Sequence, residues 1–228
     1  FQSKVKALPC SADNRLVTPF LNAIGFEFTG AQQRTWGEIA RDMAGSHPMR
    51  RLLQGDVGSG KTAVAACAAL RAIESGFSVV VLAPTEILAE QHYRVFGKWL
   101  EPFGIPVHLH TGARKTMSDS GQAELSIGNN ELPPLVIGTH ALVEEKFALE
   151  NIGLAIIDEQ HKFGVEQRKK LVSKGEYPHV LVMTATPIPR TLGLTVYGDL
   201  DISLIDELPP GRGPVRTHVR KPESLPKV

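Results

Sequence analysis

Gly55-Asp56-Val57-Gly58-Ser59-Gly60-Lys61-Thr62 follows the apolar pair Leu52-Leu53 and opens the alanine-rich stretch Ala63 to Ala72. Strand, glycine loop and helix stand there in the order that a phosphate loop requires. The glycines let the backbone curl so that successive N–H groups point inward, at the positive end of the following helix. All eight residues of the stretch are therefore candidate nucleotide ligands. Lys61 is expected to reach the β- and γ-phosphates and Thr62 to hold Mg²⁺. A chance glycine turn is the competing reading, and the order of the flanking elements sets it aside.

Outward from this loop, short apolar runs alternate with segments of helical length. Arg51 to Gln54, Ser78 to Ala83, Val107 to His110, Leu135 to Ile137, Leu154 to Ile157 and Val180 to Met183 read as strands, and Ile202 to Leu208 as a further one. Lys61 to Ser75, Ile87 to Leu100 and Val165 to Ser173 read as helices between them. Val-, Leu- and Ile-rich strands joined by helical crossovers predict an α/β domain, a doubly wound and mostly parallel sheet with helices on both faces. Ligands on such sheets gather at the carboxyl ends of the strands. Before the first strand, Ala31, Trp36, Ile39, Ala40 and Met43 approximate helical spacing, and Thr29 with Gln32 forms a capping-box pattern. Residues 1–24 read as a leader or linker interrupted by Pro9 and Pro19, residues 25–208 as the domain, and the Pro- and Gly-rich residues 209–228 as an exit linker.

The 228 residues, 42% of them hydrophobic, suffice for one α/β domain with a full core and a few attached elements. The 25 Lys and Arg nearly cancel the 24 Asp and Glu, so any surface for a polyanion must be local. Arg212, Arg216, Arg220 and Lys221 make the tail basic, for phosphate contact or for plain solvation. Cys10 and Cys67 stand far apart without companion ligands, and Cys67 among alanines reads as a buried free thiol. No apolar run approaches the roughly 20 residues that cross a bilayer, so the expected location is the cytoplasm. The absence of an initial Met and of a clear terminator suggests a piece of a longer chain.

Leu154-Ala155-Ile156-Ile157-Asp158-Glu159 is the second chemical signature, an apolar strand delivering two carboxylates to its end. Asp158 is expected to hold Mg²⁺, and Glu159 to orient or deprotonate the water that attacks a γ-phosphate. Alone, the pair would read as a solvated acidic turn; beside a phosphate loop the catalytic reading prevails.

Asp158-Glu159-Gln160-His161 resembles the D-E-x-H box of superfamily 2 helicases. Ala83-Pro84-Thr85-Glu86-Ile87-Leu88-Ala89-Glu90-Gln91, Thr111-Gly112, Gly138-Thr139-His140 and Thr184-Ala185-Thr186-Pro187 stand in the order of that superfamily's motifs Ia, Ib, Ic and III. The resemblance covers the chain from about Phe26 onward and implies a RecA-like P-loop NTPase fold. Within the superfamily, the phosphate loop, Asp158 to Val165, Thr184 to Thr191 and Ile205 to Arg212 resemble the RecG family of branched-DNA helicases. The Mfd family is similar in many of these blocks, but typically carries a second glutamate where Gln160 stands and a bulky residue where Ser59 stands. PriA is more distant. Lys162 departs from the arginine expected in this box.

The resemblance implies ATP and Mg²⁺ as ligands and DNA as partner. It makes Gln32 the residue that pairs with the adenine edge, with adjacent Gln33 as the alternative. It makes Thr85, Thr111 and Thr139 a track for backbone phosphates, although each threonine alone would more often be a helix cap. It makes His161, Thr184, Thr186 and Arg190 residues that couple the γ-phosphate to the DNA site; a satisfied core histidine and a surface ion pair are the plainer readings of His161 and Arg190. It further implies a monomeric motor with two lobes, the second supplying arginines worth about 10³ to 10⁵ in turnover, and a wedge domain that recognises forks and Holliday junctions. Neither is contained in these residues, so the piece alone is expected to be poorly active. A P-loop phosphotransferase, or a nucleotide-binding module without turnover, remains open on the phosphate loop alone; the Thr184-Ala185-Thr186-Pro187 block favours the helicase.

Overall fold

The computed structural model describes residues 8–116, 132–144, 147–159, 177–186 and 200–207. Seven strands, β1 (Arg50–Gly55), β2 (Ser78–Leu82), β3 (Val107–His110), β4 (Leu135–Gly138), β5 (Ile152–Asp158), β6 (His179–Thr184) and β7 (Asp201–Ile205), form one sheet in the order β3-β4-β2-β5-β6-β1-β7. Every pairing is parallel. All seven strands therefore present their carboxyl ends at one edge of the domain. The continuous apolar runs have their reason in this arrangement. Val79 and Val81 enter one core cluster while Val80 and Leu82 enter the other, so β2 is buried on both faces.

Among the described residues four α-helices, α1 (Val17–Ala23), α2 (Gly30–Met43), α3 (Lys61–Glu74) and α4 (Glu86–Leu100), pack on the same face as Val79 and Val81. Helix α3 carries Ala65, Ala66, Cys67, Ala68 and Ala69, all fully buried, and these small side chains let it lie close against the strands. Burial pushes the Cys67 thiol far up, as expected of an inert core sulfur. Among the described residues the opposite face is covered by Leu142, Val143, Phe147 and Leu149, which pack on Val80, Val136, Ala155 and Ile157. The helix expected at Val165 to Ser173 lies outside the described residues, as does the exit linker at 209–228.

Residues 8–24, read from the sequence as leader or linker, pack onto the domain. Val17 and Phe20 of α1 are buried in the main core, and Pro19 sits in the first turn of that helix, where its missing N–H costs nothing. Ahead of α1 the chain is fastened by its backbone: the Cys10 N–H donates to the Met43 carbonyl at 2.8 Å, and Arg71 Nε donates to the Cys10 carbonyl at 2.7 Å. His179 Nε2 donates to the Leu8 carbonyl at 2.9 Å, and its Nδ1 accepts the Met49 N–H at 2.9 Å. The prolines that suggested a linker are compatible with a docked segment that completes the core. Strand β7 likewise ends earlier than the sequence suggested. Asp206 and Glu207 turn toward α2, where Arg34 Nη2 donates to Asp206 at 2.9 Å and Glu207 accepts the Ala31 N–H at 3.1 Å.

Candidate functional site

The glycine loop joins β1 to α3 at the carboxyl edge of the sheet. Gly58 and Gly60 adopt positive φ, +77° and +87°, which lets the chain fold back before the helix begins. Within the loop, the Val57 N–H donates to Asp56 Oδ1 at 2.7 Å and the Ser59 N–H to the Asp56 carbonyl at 3.1 Å. Lys61 Nζ reaches back to the Gly55 and Asp56 carbonyls at 2.7 and 2.9 Å. Partial burial lowers the Lys61 pKa, and the opposing charges of Asp158, Glu159 and Asp56 pull it back up. Lys61 is therefore within electrostatic reach of the acidic pair. Helices α2 and α4 are each capped by a threonine hydroxyl, Thr29 and Thr85, whereas α3 starts at Gly60 with no side-chain cap and no acid in its first turn. Its N-terminal dipole is thus left facing the loop.

Gln32 lies against this loop in a way the sequence did not disclose. The expected capping box is present, with Gln32 Oε1 accepting the Thr29 N–H at 2.9 Å. The amide nitrogen of the same side chain donates to the Ser59 carbonyl at 2.8 Å. Gln32 is fully buried, and its amide braces the loop. Gln33, the alternative, is exposed and donates to the Phe28 carbonyl at 3.0 Å.

The acidic pair closes β5. Glu159 has a left-handed backbone, φ +47°, a conformation costing a residue with a side chain about 1–3 kcal/mol. Three bonds hold it: its N–H donates to the Met183 carbonyl at 2.9 Å, and its carboxylate accepts the Ala185 N–H at 3.1 Å and the Thr184 hydroxyl at 3.4 Å. Thr184 Oγ1 in turn accepts the Thr186 N–H at 3.1 Å. Asp158, Glu159, Thr184 and Thr186 are thereby brought together at the adjacent ends of β5 and β6.

Thr85, Thr111 and Thr139 follow β2, β3 and β4, which are neighbours in the sheet, so all three lie along one half of the carboxyl edge. Their hydroxyls differ. Thr85 is exposed and caps α4 by accepting the Leu88 N–H at 3.3 Å. Thr111 is buried and its hydroxyl is engaged with the Arg114 backbone, at 3.0 and 3.2 Å. Thr139 is 2% exposed with Oγ1 unpartnered among the described residues. Glu86, which sequence reasoning passed over, accepts the Ala113 N–H at 3.0 Å and ties the first turn of α4 to the loop after β3. His161 and Arg190 lie outside the described residues.

Sequence reasoning also missed His92. It sits on α4 with Nε2 2.8 Å from Asp158 Oδ2, its ring packed 6.2 Å from that of Phe96. The available signal was a histidine on the helical stripe Ala89, His92, Phe96, Leu100, every member of which is buried.

A parallel sheet with a phosphate loop after β1 and a carboxylate pair after β5 defines a RecA-like P-loop NTPase domain. The DEAD/DEAH box helicase family matches residues 29–194, and the chain belongs to that family. Within it the sequence is similar to RecG proteins. The chain is 52% identical over 97% of its length to the ATP-dependent DNA helicase RecG of Haemophilus influenzae, and 53% identical over 92% to that of Escherichia coli K12. It spans about a third of the length of these relatives, 32% and 31%. A solved structure of RecG bound to a three-way DNA junction superposes with a TM-score of 0.78 at 44% identity, covering 94% of this chain and 28% of that one. A yeast Dbp5 structure, at 16% identity and a TM-score of 0.58 over 82% of this chain and 51% of that one, shares the fold.

Proposed function

We propose that this domain is the ATP-binding lobe of a DNA helicase that remodels forks and junctions in replication restart, recombination and repair. The observation that carries the reading is the convergence, at the edge of one sheet, of an uncapped helix N-terminus, Lys61 and the pair Asp158-Glu159. Such an edge attracts a polyphosphate on one side and polarises water on the other. The RecG relatives are named ATP-dependent DNA helicases, and the similar solved structure holds a three-way junction, which extends the reading to branched DNA.

The donor set suits Mg²⁺. Among the described residues no group of three or more His, Cys, Asp or Glu forms a metal cage. The Thr62 hydroxyl and the Asp158 carboxylate would hold such a hard cation. When bound it supplies charge neutralisation on the β- and γ-phosphates. The chain's own residues do the rest. Lys61 exchanges its two loop carbonyls for phosphate oxygens, Glu159 takes the proton of the attacking water, and Thr184 carries the displacement of that carboxylate into the segment after β6. The proposed machine is a cytoplasmic monomer in which a second RecA-like lobe closes on this edge and a wedge domain holds the branch; no described helix is long and apolar enough to cross a membrane.

In the full-length protein, Lys61→Ala is expected to abolish ATP hydrolysis while leaving binding of forked DNA within about twofold of wild type. Retained fork-stimulated hydrolysis would contradict the site, and hydrolysis indifferent to DNA in the wild type would contradict the helicase reading.

A further inference from the structure

The carboxyl edge of the sheet divides into two halves. The threonines of the candidate DNA track follow β3, β4 and β2, the phosphate loop and the acids follow β5, β6 and β1, and the seam between them runs along the β2–β5 pairing. One described side-chain contact crosses that seam at the metal carboxylate: His92, on the helix that follows β2, donates Nε2–H to Asp158 Oδ2 at 2.8 Å. Both side chains are largely withdrawn from solvent, 10% and 14% exposed, which makes the bond stronger and its geometry more fixed than a surface pair's.

We infer that His92 is a positioning residue, orienting Asp158 and linking occupancy of the DNA track to the nucleotide site. The inference rests on the proposed function. A carboxylate whose one oxygen is held by an imidazole presents the other in a fixed direction, and such outer partners commonly set metal affinity by 10- to 100-fold. The helix that carries His92 also carries the candidate DNA residue at its start. Thr85 caps it, Glu86 in its first turn grips the Ala113 N–H, and His92 follows two turns on, about 10 Å along the same rigid helix. The ring is seated on the core by Phe96, so a shift of α4 is transmitted to Asp158. A DNA backbone drawn against the Thr85 end therefore adjusts the carboxylate, and Mg²⁺ bound at the carboxylate favours one setting of the helix; the coupling is reciprocal.

The test uses full-length protein carrying His92→Phe, which keeps the ring against Phe96 and removes the donor, and His92→Gln, whose amide nitrogen reaches the same place. Binding of a fluorescent ATP analogue is titrated with Mg²⁺, and ATP turnover is compared with and without forked DNA. Expected for His92→Phe are nucleotide binding in EDTA equal to wild type, a half-saturating Mg²⁺ concentration raised roughly 10-fold or more, and a reduced ratio of fork-stimulated to basal turnover; His92→Gln restores most of both. Wild-type Mg²⁺ dependence in His92→Phe overturns the inference, as does equal impairment in the two variants, which would make the role one of packing. Loss of folding in His92→Phe with wild-type behaviour in His92→Gln supports the donor role, and loss in both overturns it. Absence of DNA stimulation in the wild type would instead sink the helicase reading itself, which keeps the two failures apart.

Discussion

Replacing Gly60 by Ala should destabilise the domain by about 3–4 kcal/mol, at least half of it through Gln32. Gly60 has φ +87°, and an alanine held in that left-handed conformation costs about 1–2 kcal/mol. A methyl group there also overlaps Gln32 Nε2. The end of a glutamine is ordinarily able to move aside, but this one is fully buried and tied at both termini, to the Thr29 N–H and to the Ser59 carbonyl. Moving it forfeits the bond to Ser59, about 1 kcal/mol, and weakens the cap of α2, about another 1 kcal/mol. Gln32→Ala alone loses the same two contacts, about 2 kcal/mol. The double variant then pays only the backbone strain in addition, so its total should fall about 2 kcal/mol short of the sum of the single changes. Urea unfolding of the 228-residue chain, followed by far-UV circular dichroism, measures all three. Additivity within about 0.5 kcal/mol, or a Gly60→Ala cost below about 1 kcal/mol, would refute the bracing of the loop by Gln32.

Arg51 joins β1 to α2 and β7: its guanidinium donates to Asp42 at 2.8 and 2.6 Å, to Glu38 at 3.4 Å and to the Ser203 hydroxyl at 2.8 Å. Arg51→Met should cost about 2–4 kcal/mol, below the value for a fully buried network because the acids are 33% and 28% exposed, and Arg51→Lys about half as much because the fork is lost; a methionine variant within about 1 kcal/mol of wild type in the same urea assay rules the network out as a stabiliser. His179 has its pKa lowered from 6.5, chiefly by burial, against smaller opposing effects of the Leu8 carbonyl and Asp42. The unfolded chain then takes up the proton first, so this contribution to stability is complete above about pH 6.5 and is lost as pH falls below that through the folded value. Ring resonances of His179 that titrate above pH 6.5 in the folded domain would reverse the sign and refute it.

How much of this was open to the sequence follows from the range of each interaction. Strand and helix positions were legible because burial on both faces writes an unbroken apolar run, as in Val79 to Leu82, and burial on one face writes a helical stripe, as in Ala89 to Leu100. The capping box at Thr29 and Gln32 was legible because both partners lie within one turn. The same glutamine's second bond was not, because Ser59 is 27 residues away and its carbonyl carries no mark in the sequence. His92 and Asp158 are separated by 66 residues, and only the strand order that sets β2 beside β5 makes them neighbours. The docking of residues 8–24 was hidden for the opposite reason: Pro9 and Pro19 are strong local signals of interruption, whereas the burial of Val17 and Phe20 and three backbone bonds to distant elements act across the fold. Local chemistry thus announces which phosphate-handling groups exist, whereas their orientation is set by side chains that identify themselves only once the sheet is assembled. Gln32 and His92 belong to this second group. Each reaches the site from a helix, and each places the conformation of that helix in register with a loop or carboxylate that a nucleotide would contact.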